Sequence, residues 1–209
     1  MYAIIAFTKL NRLHGMNRID FNNITLYAKA MVAVVILSSS VCSEAAEFEG
    51  VKFADSLLVG DTQFILKGLG LLRYKIIFKG YVGGLYLPSD IARNEVLDDV
   101  PKRLELHYFW DIPAEKFGEA AAPYIRDNVS PKILPKIKKR VERINSLYRD
   151  VRKGDRYSLT YYPQNGVELA LNGEVLGLIE GADFAEAYFS IWLGKYPLNS
   201  KFKQQLLSE

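Results

Sequence analysis

Cysteine and histidine are scarce in this chain, and their scarcity narrows the chemistry that it can carry. The 209 residues include one cysteine, Cys42, and two histidines, His14 and His107. A lone cysteine excludes an intrachain disulfide, and so few sulfur and imidazole ligands argue against a transition-metal site. No serine lies in a Gly-x-Ser-x-Gly turn, and Gly68-Leu-Gly70 lacks the third glycine of a dinucleotide-binding loop. We therefore expect neither a metal nor a cofactor.

The chain also lacks a large excess of either charge. Its 27 basic and 24 acidic side chains give a net charge of +3. Basic residues are concentrated at 131–153, a pattern that in some proteins binds nucleic acid or an anionic membrane. Because Glu142 and Asp150 interrupt that run and no aromatic platform accompanies it, we interpret it as the solvent-exposed face of a helix. We expect no nucleic-acid partner.

The first 45 residues differ in pattern from the rest and are typical of a secretory signal. Four basic residues precede an apolar run at 30–37, and small residues follow at the end of the segment. That run is too short to span a bilayer as a helix. We predict a leader at 1–45, one domain at 46–209, a periplasmic or secreted location, and no membrane span once the leader is removed. Either Met1 or Met16 is the start of translation, and the oligomeric state stays open.

Hydrophobic periodicity and turn residues divide the predicted domain into strands and helices. Apolar alternation and aromatic or β-branched runs predict strands at 48–53, 56–59, 64–72, 74–87, 103–109, 156–162, 167–171 and 174–179. Helical spacing predicts helices at about 89–98, 114–122, 131–152, 182–193 and 200–206. The strands arrive mainly as hairpins and the helices as blocks. This order predicts an α+β fold with a large antiparallel sheet and helices packed on one face.

One arginine lies inside the most apolar strand segment of the chain. Arg73 follows Gly-Leu-Gly-Leu-Leu and precedes a stretch that contains Tyr81. A guanidinium keeps its charge at ordinary pH and is costly to bury alone, so an inward-facing Arg73 requires an anionic or polar partner. We expect Gly80, Gly83 and Gly84 to leave a cavity beside Tyr81, in which a carboxylate or enolate meets the arginine and the phenol. The alternative is an arginine at the rim of a closed core, paired with a nearby aspartate or glutamate.

Six short segments carry a resemblance to a known family. They are Gly68–Pro88, Pro101–His107, Lys153-Gly-Asp155, Leu171-Asn-Gly173, Gly181–Phe184 and Ile191-Trp-Leu-Gly194. In order and spacing they are similar to the bacterial chalcone isomerase-like domain of the chalcone isomerase fold family. The resemblance covers about residues 47–207. It implies an open-faced β-sandwich, in which a large antiparallel sheet is backed by helices.

The resemblance also implies roles for individual residues. Arg73 stands where the plant enzymes hold an arginine that steadies the phenolate substrate and the enolate during ring closure. Tyr81 falls at the position of a strand threonine, and Tyr124 at that of a helix asparagine. Phe117 replaces a helix tyrosine, and Ala185 replaces a late serine or threonine. Because phenylalanine and alanine offer no polar side-chain atom, this pattern argues against flavonoid isomerisation.

A non-enzymatic branch of the same fold binds a fatty-acid carboxylate through an arginine and a tyrosine, and Arg73 and Tyr81 match that pair. The resemblance thus implies an exported, non-catalytic protein that binds a fatty acid or similar amphiphilic anion in an apolar cavity. Arg73, Tyr81 and Tyr124 are its expected ligand-binding residues. One alternative is an intramolecular lyase or isomerase that acts through an enolate, with Tyr81 or Tyr124 as proton donor. The other is a structural module of the cell envelope without a ligand.

Overall fold

The computed structural model describes residues 45–74 and 78–208, and of Tyr74 the backbone alone. Nine strands are present in this part of the chain: β1 Ala45–Phe48, β2 Val51–Ala54, β3 Ser56–Val59, β4 Thr62–Tyr74, β5 Phe78–Leu87, β6 Lys102–Tyr108, β7 Arg156–Tyr162, β8 Gly166–Leu171 and β9 Glu174–Ile179. The α-helices are α1 Glu115–Asn128, α2 Leu134–Leu147, α3 Ala182–Leu193 and α4 Ser200–Leu207. Apart from Ala45, the predicted leader lies outside the described residues.

The main sheet is an antiparallel meander in which each strand pairs with the next one along the chain. Its seven strands follow the order β3 to β9, and β1 and β2 form a separate two-stranded hairpin. Helices α1 and α2 are inserted between β6 and β7, whereas α3 and α4 follow the last strand. The predicted α+β class, with a large antiparallel sheet and helices on one face, is confirmed. None of the described helices is long and apolar enough to cross a membrane.

Alternation along the strands gives the sheet two unlike faces. The helix-covered face carries the larger apolar core, which includes the fully buried Leu85 and Leu104. The opposite face packs the fully buried Phe64 and Val82 against Phe53 of the β1–β2 hairpin. A small second layer therefore covers part of this face, as the expected open-faced β-sandwich requires.

Of the three glycines expected to leave a cavity beside Tyr81, Gly80 borders open space, whereas the space beside Gly83 and Gly84 is filled by other side chains. A Cβ atom at Gly83 would lie 2.5 Å from the ring of Phe202 in α4, and one at Gly84 would lie 2.8 Å from the ring of Phe53. At Gly68 a Cβ atom would collide with the main chain of α4 at Leu206. These glycines let the C-terminal helix and the hairpin approach the sheet closely, since real Cβ atoms do not make such short contacts.

Several local predictions need correction. The strand predicted at 48–53 is interrupted by a turn at Glu49 and Gly50, which separates β1 from β2. The helix predicted at 131–152 ends at Leu147. The helix predicted at 89–98 is reduced to a 3-10 turn at Arg93–Glu95. Helix α1 continues through Pro123, and the buried Ala121 and Ile125 offset the backbone hydrogen bond that the proline removes. Helix α2 begins later than predicted, because the main-chain oxygen of Ser130 accepts hydrogen bonds in a preceding turn and its side chain does not cap the helix.

Candidate functional site

A cavity of about 800 Å³ lies between the main sheet and the helices that cover it. Leu106 and Leu159 contribute its sheet side, Phe117 and Ala121 contribute the α1 side, and Ile191 contributes the α3 side. The volume falls within the range of about 300–1,000 Å³ that is typical of small-molecule sites. The walls are mostly aliphatic and aromatic, so the cavity suits an apolar ligand or the apolar part of an amphiphilic one.

Aromatic side chains from distant parts of the sequence form a continuous wall of this cavity. The ring centroids of Tyr81 and Tyr108 are 5.4 Å apart, and those of Tyr108 and Phe117 are 5.7 Å apart. Phe117 stacks on Tyr148 at 4.6 Å, and Tyr148 meets Tyr157 edge to face at 5.1 Å. Stacked and edge-to-face pairs of this kind fix ring positions, so the wall is preorganised before any ligand arrives.

The phenol groups of the wall differ in their hydrogen bonding. The indole nitrogen of Trp192 donates to the hydroxyl oxygen of Tyr81 at 2.9 Å. The hydroxyl groups of Tyr148 and Tyr188 share a hydrogen bond of 2.8 Å. The hydroxyl of Tyr157 donates to the carbonyl oxygen of the Arg149 main chain at 2.9 Å and accepts from its N–H group at 2.8 Å.

All of these buried phenols stay neutral at ordinary pH. Burial raises the pKa of Tyr81, Tyr108, Tyr148 and Tyr188 above the usual range, because the interior disfavours a phenolate. A neutral phenol keeps its proton and can donate it to an oxygen atom of a ligand. The cavity therefore offers donors without offering fixed charge at its centre.

The opening of the cavity combines exposed aromatic rings with cations. Phe78 and Trp110 meet edge to face at 6.2 Å, and their side chains are about half exposed. The indole nitrogen of Trp110 donates to the carbonyl oxygen of Lys79 at 2.7 Å, which fixes this ring against β5. Arg73 and Lys79 also border the cavity. An amphiphilic anion thus meets apolar surface and positive charge at the same opening.

Arg73 does not have the enclosed position that the sequence suggested. Its side chain is 46% exposed, and its guanidinium lies 3.7 Å from the carboxylate of Glu49, which also contacts the ammonium of Lys79 at 2.6 Å. Alternation explains this orientation, because Arg73 shares a strand face with Leu71, which packs toward the β1–β2 hairpin. Hydrogen bonding to Lys79 and the nearby charges lower the pKa of Glu49, so this carboxylate is ionised at neutral pH.

The three residues expected to bind a ligand nevertheless border the same cavity. Tyr81 is buried and faces the helices, Tyr124 is partly buried on α1, and Arg73 lies at the opening. Strands β4 and β5 are antiparallel and Leu72 pairs with Tyr81, so the strand ends that carry Arg73 and Tyr81 are adjacent. The alternative of a structural module required a closed core, but the fold contains a cavity. The acidic partner that this alternative expected for Arg73 is present as Glu49.

Several wall residues were not recognised from the sequence. Tyr188 and Trp192 lie in the helix predicted at 182–193, and Tyr108 lies in the strand predicted at 103–109, but neither pattern marks them as cavity residues. The sequence offered one usable signal, since tyrosine and tryptophan carry polar atoms that require partners when buried. Of the two positions that the resemblance marked as having lost a polar group, Phe117 lines the cavity, and Ala185 is buried in the core.

Comparison with solved structures places the fold among known proteins. A fatty-acid binding protein from Arabidopsis thaliana aligns with a TM-score of 0.62 and 14% sequence identity, over 79% of this chain and 96% of its own. An identity this low establishes similarity of fold alone.

No curated protein matches the sequence. The family model described as chalcone isomerase-like matches residues 45–208, which include all of the described strands and helices. The chain therefore belongs to the chalcone isomerase-like family.

Proposed function

We propose that this protein binds a fatty acid or a similar single-chain amphiphilic anion without chemically converting it. The observation that carries the proposal is the cavity of about 800 Å³, whose walls are apolar and whose opening carries cations. The similarity in fold to a fatty-acid binding protein supports the same ligand class. An acyl chain inside the cavity removes apolar surface from water, which contributes roughly 25 cal/mol for each Å² buried before the costs of association.

In this proposal the carboxylate of the ligand stays at the opening, beside Arg73 and Lys79. Both cations already share Glu49, so a bound carboxylate competes with that residue for them. Because Arg73 is half exposed, solvent screens the attraction and its contribution is modest. Deeper in the cavity, the hydroxyl of Tyr81 is a further donor for an oxygen atom of the ligand, since its oxygen accepts from Trp192 and its own proton is not used in that bond. Tyr124, also on the cavity wall, is the remaining candidate contact.

A binding role fits this cavity better than enolate chemistry. The isomerase alternative needs Tyr81 or Tyr124 to supply a proton. Burial raises the pKa of Tyr81, which makes it a poor acid near neutral pH. Phe117 provides no polar atom where the plant enzymes have a tyrosine. A screen of phenolic enones tests this alternative, and turnover that Arg73→Ala abolishes would favour it over simple binding.

The cellular location of the protein is also part of the proposal. The signal-like pattern of residues 1–45 favours export, which would deliver a lipid-binding domain to the periplasm or the exterior of the cell. Expression of the full chain followed by N-terminal sequencing of the product tests this point. A new N-terminus close to Ala45 supports export, whereas a product that retains Met1 or Met16 argues against it.

Isothermal titration with hexadecanoic acid tests the binding proposal directly. We expect the wild-type protein to bind one molecule, and Arg73→Ala to weaken the affinity about three- to tenfold because it removes a partly screened cation. Arg126→Ala is the matched control, since Arg126 is an exposed arginine of α1 that does not line the cavity. Equal affinity in wild type and Arg73→Ala would show that Arg73 does not contribute to binding. No binding by the wild type would refute the proposal.

A further inference from the structure

The buried part of the cavity holds more hydrogen-bond donors than its own acceptors use. Tyr81 accepts a hydrogen bond from Trp192, and its own proton meets no acceptor among the described residues. Tyr148 and Tyr188 share one hydrogen bond and so use one of their two protons. Tyr108 makes no hydrogen bond to any residue that the structure describes, although its side chain is only 3% exposed. Three phenol protons are thus available to a hydrogen-bond acceptor inside the cavity.

These phenols belong to one cluster. The rings of Tyr81 and Tyr108 are 5.4 Å apart, and Tyr157 meets Tyr108 at 6.1 Å and Tyr148 at 5.1 Å. Tyr188 joins the cluster through its hydroxyl contact with Tyr148. Because Tyr81, Tyr108, Tyr148 and Tyr188 all line the cavity, an oxygen atom that enters the cluster gives their unused protons an acceptor.

The kind of oxygen follows from the charges around the cavity. The charged residues that line it all have exposed or partly exposed side chains, and they are Arg73, Lys79, Lys116 and Glu119. Lys116 is paired with Glu119 at 2.7 Å, which leaves Arg73 and Lys79 as the cations nearest to a ligand carboxylate. A carboxylate that moved inward to the phenols would lose both water and these cations, which makes an ionised head group costly there. A carbonyl oxygen accepts two hydrogen bonds, carries no charge and brings no proton of its own, so it complements a surplus of donors.

We propose that Tyr108, with the neighbouring phenols of Tyr81, Tyr148 and Tyr188, forms a second polar subsite that binds a keto oxygen on the acyl chain of the ligand. This inference rests on the proposed function and narrows its ligand class to oxo-fatty acids. The carboxylate stays at the opening, the carbonyl group reaches the phenols, and the rest of the chain contacts the apolar walls. The distance between acid and ketone then becomes the specificity determinant of the site.

Titration of the full-chain protein with hexadecanoic acid and with oxohexadecanoic acids tests the subsite. The ketone is placed at successive positions along the chain, and we expect a limited range of positions to bind about three- to tenfold more tightly than the plain acid. Tyr108→Phe removes one hydroxyl and keeps the ring, so the affinity for the preferred oxo acid should fall by more than the affinity for the plain acid. Tyr86→Phe is the matched control, because the hydroxyl of Tyr86 is also buried without a partner but lies on the opposite face of the sheet.

The infrared stretch of a ¹³C-labelled ketone provides a second measurement that does not depend on the variant. A band at lower frequency in the complex than in a hydrocarbon solvent reports hydrogen bonds to the carbonyl oxygen, and a band at the hydrocarbon frequency overturns the subsite. Equal affinities for plain and oxo acids, or a preference that is undiminished in Tyr108→Phe, also overturn it while leaving the fatty-acid proposal intact. If the wild type binds neither ligand, the proposed function and the subsite fail together.

Discussion

The carboxylate of Glu49 lies 2.6 Å from the ammonium of Lys79 at the opening of the cavity, and 3.7 Å from the guanidinium of Arg73. Glu49 belongs to the turn between β1 and β2, where its φ of 53° gives it a left-handed backbone conformation. One acidic side chain thus partly neutralises both cations that a ligand carboxylate would use. The hairpin on one face of the sheet thereby influences a site that opens on the other.

Glu49→Gln should therefore strengthen the binding of anionic ligands. Removing the carboxylate frees both cations, and we expect an affinity for hexadecanoic acid about two- to fivefold higher, since exposed ion pairs are individually weak. Isothermal titration at low and at high salt measures the change, which should shrink as salt screens the charges. Glu142→Gln, on the exposed side of α2, is the control for a general change in net charge. Unchanged affinity in Glu49→Gln would show that the ligand does not use these cations.

Intrinsic fluorescence should report ligand entry without any label. The chain has two tryptophans, and both Trp110 and Trp192 line the cavity. Trp110 is about half exposed, so an acyl chain that displaces water from its ring should shift the emission to shorter wavelength. Trp110→Phe should remove most of this shift, whereas Trp192 already lies in apolar surroundings and should contribute little. A titration whose spectrum does not change at saturation would contradict the proposed path of the ligand.

The close approach of α4 to the sheet should make Gly68 intolerant of a side chain. A methyl group there would collide with the main-chain oxygen of Leu206, and backbone cannot move aside as a flexible side chain can. We expect Gly68→Ala to lower the free energy of unfolding by about 2–4 kcal/mol. Gly80→Ala is the control, because its nearest neighbour would be the Leu72 carbonyl oxygen at 3.3 Å, and it should cost less than about 1 kcal/mol. Urea unfolding of the two variants distinguishes them, and equal losses would refute the packing argument.

Stability should rise with pH above about 8 because of one buried lysine. Lys102 is 1% exposed, donates to the carbonyl oxygen of Asp98 at 2.6 Å, and lies near the rings of Tyr161 and Phe189. Burial lowers its pKa from 10.5 to about 8, although the carboxylate of Asp99 partly opposes this effect. Between these values the unfolded chain holds a proton that the folded chain has released, so raising the pH favours folding.

Urea unfolding between about pH 7.5 and 8.5 measures this effect, because at higher pH the tyrosines of the unfolded chain lose protons that the buried tyrosines keep, and this opposes the lysine. The slope should reach roughly 0.7–1 kcal/mol for each pH unit, because near pH 8 the folded chain has released about half of the lysine proton. Lys102→Met should abolish that slope, whereas Lys201→Met, on the exposed side of α4, should leave it intact. If the free energy of unfolding of the wild type does not change across this range, folding does not lower the pKa of Lys102, and the prediction is wrong.

The strand pattern and the last two helices could be predicted from the sequence because they depend on local periodicity. Alternation located β3 and β7 at their observed bounds, and the apolar spacing of α3 did the same for that helix. The prediction that Arg73 and Tyr81 border a common cavity is also consistent with the structure, since the antiparallel pairing of β4 and β5 brings their strand ends together.

What could not be predicted depends on contacts between distant segments. The role of Gly83 is determined by Phe202, which is 119 positions further along the chain and fills the space that looked empty. Glu49 pairs with Lys79 only because the β1–β2 hairpin folds over the sheet. The phenol cluster combines side chains of β5, β6, α3 and the segment after α2, and no local pattern in the sequence marks them as neighbours.

The most direct test of the central claim is to fill the cavity and measure ligand binding. Ala121 of α1 lines the cavity and is 7% exposed, whereas the adjacent Ala122 is exposed and does not line it. In isothermal titration with hexadecanoic acid, Ala121→Phe should lose binding and Ala122→Phe should retain wild-type affinity, provided that thermal unfolding finds both variants folded. If folded Ala121→Phe binds as tightly as the wild type, the ligand occupies another part of the molecule and the account is wrong.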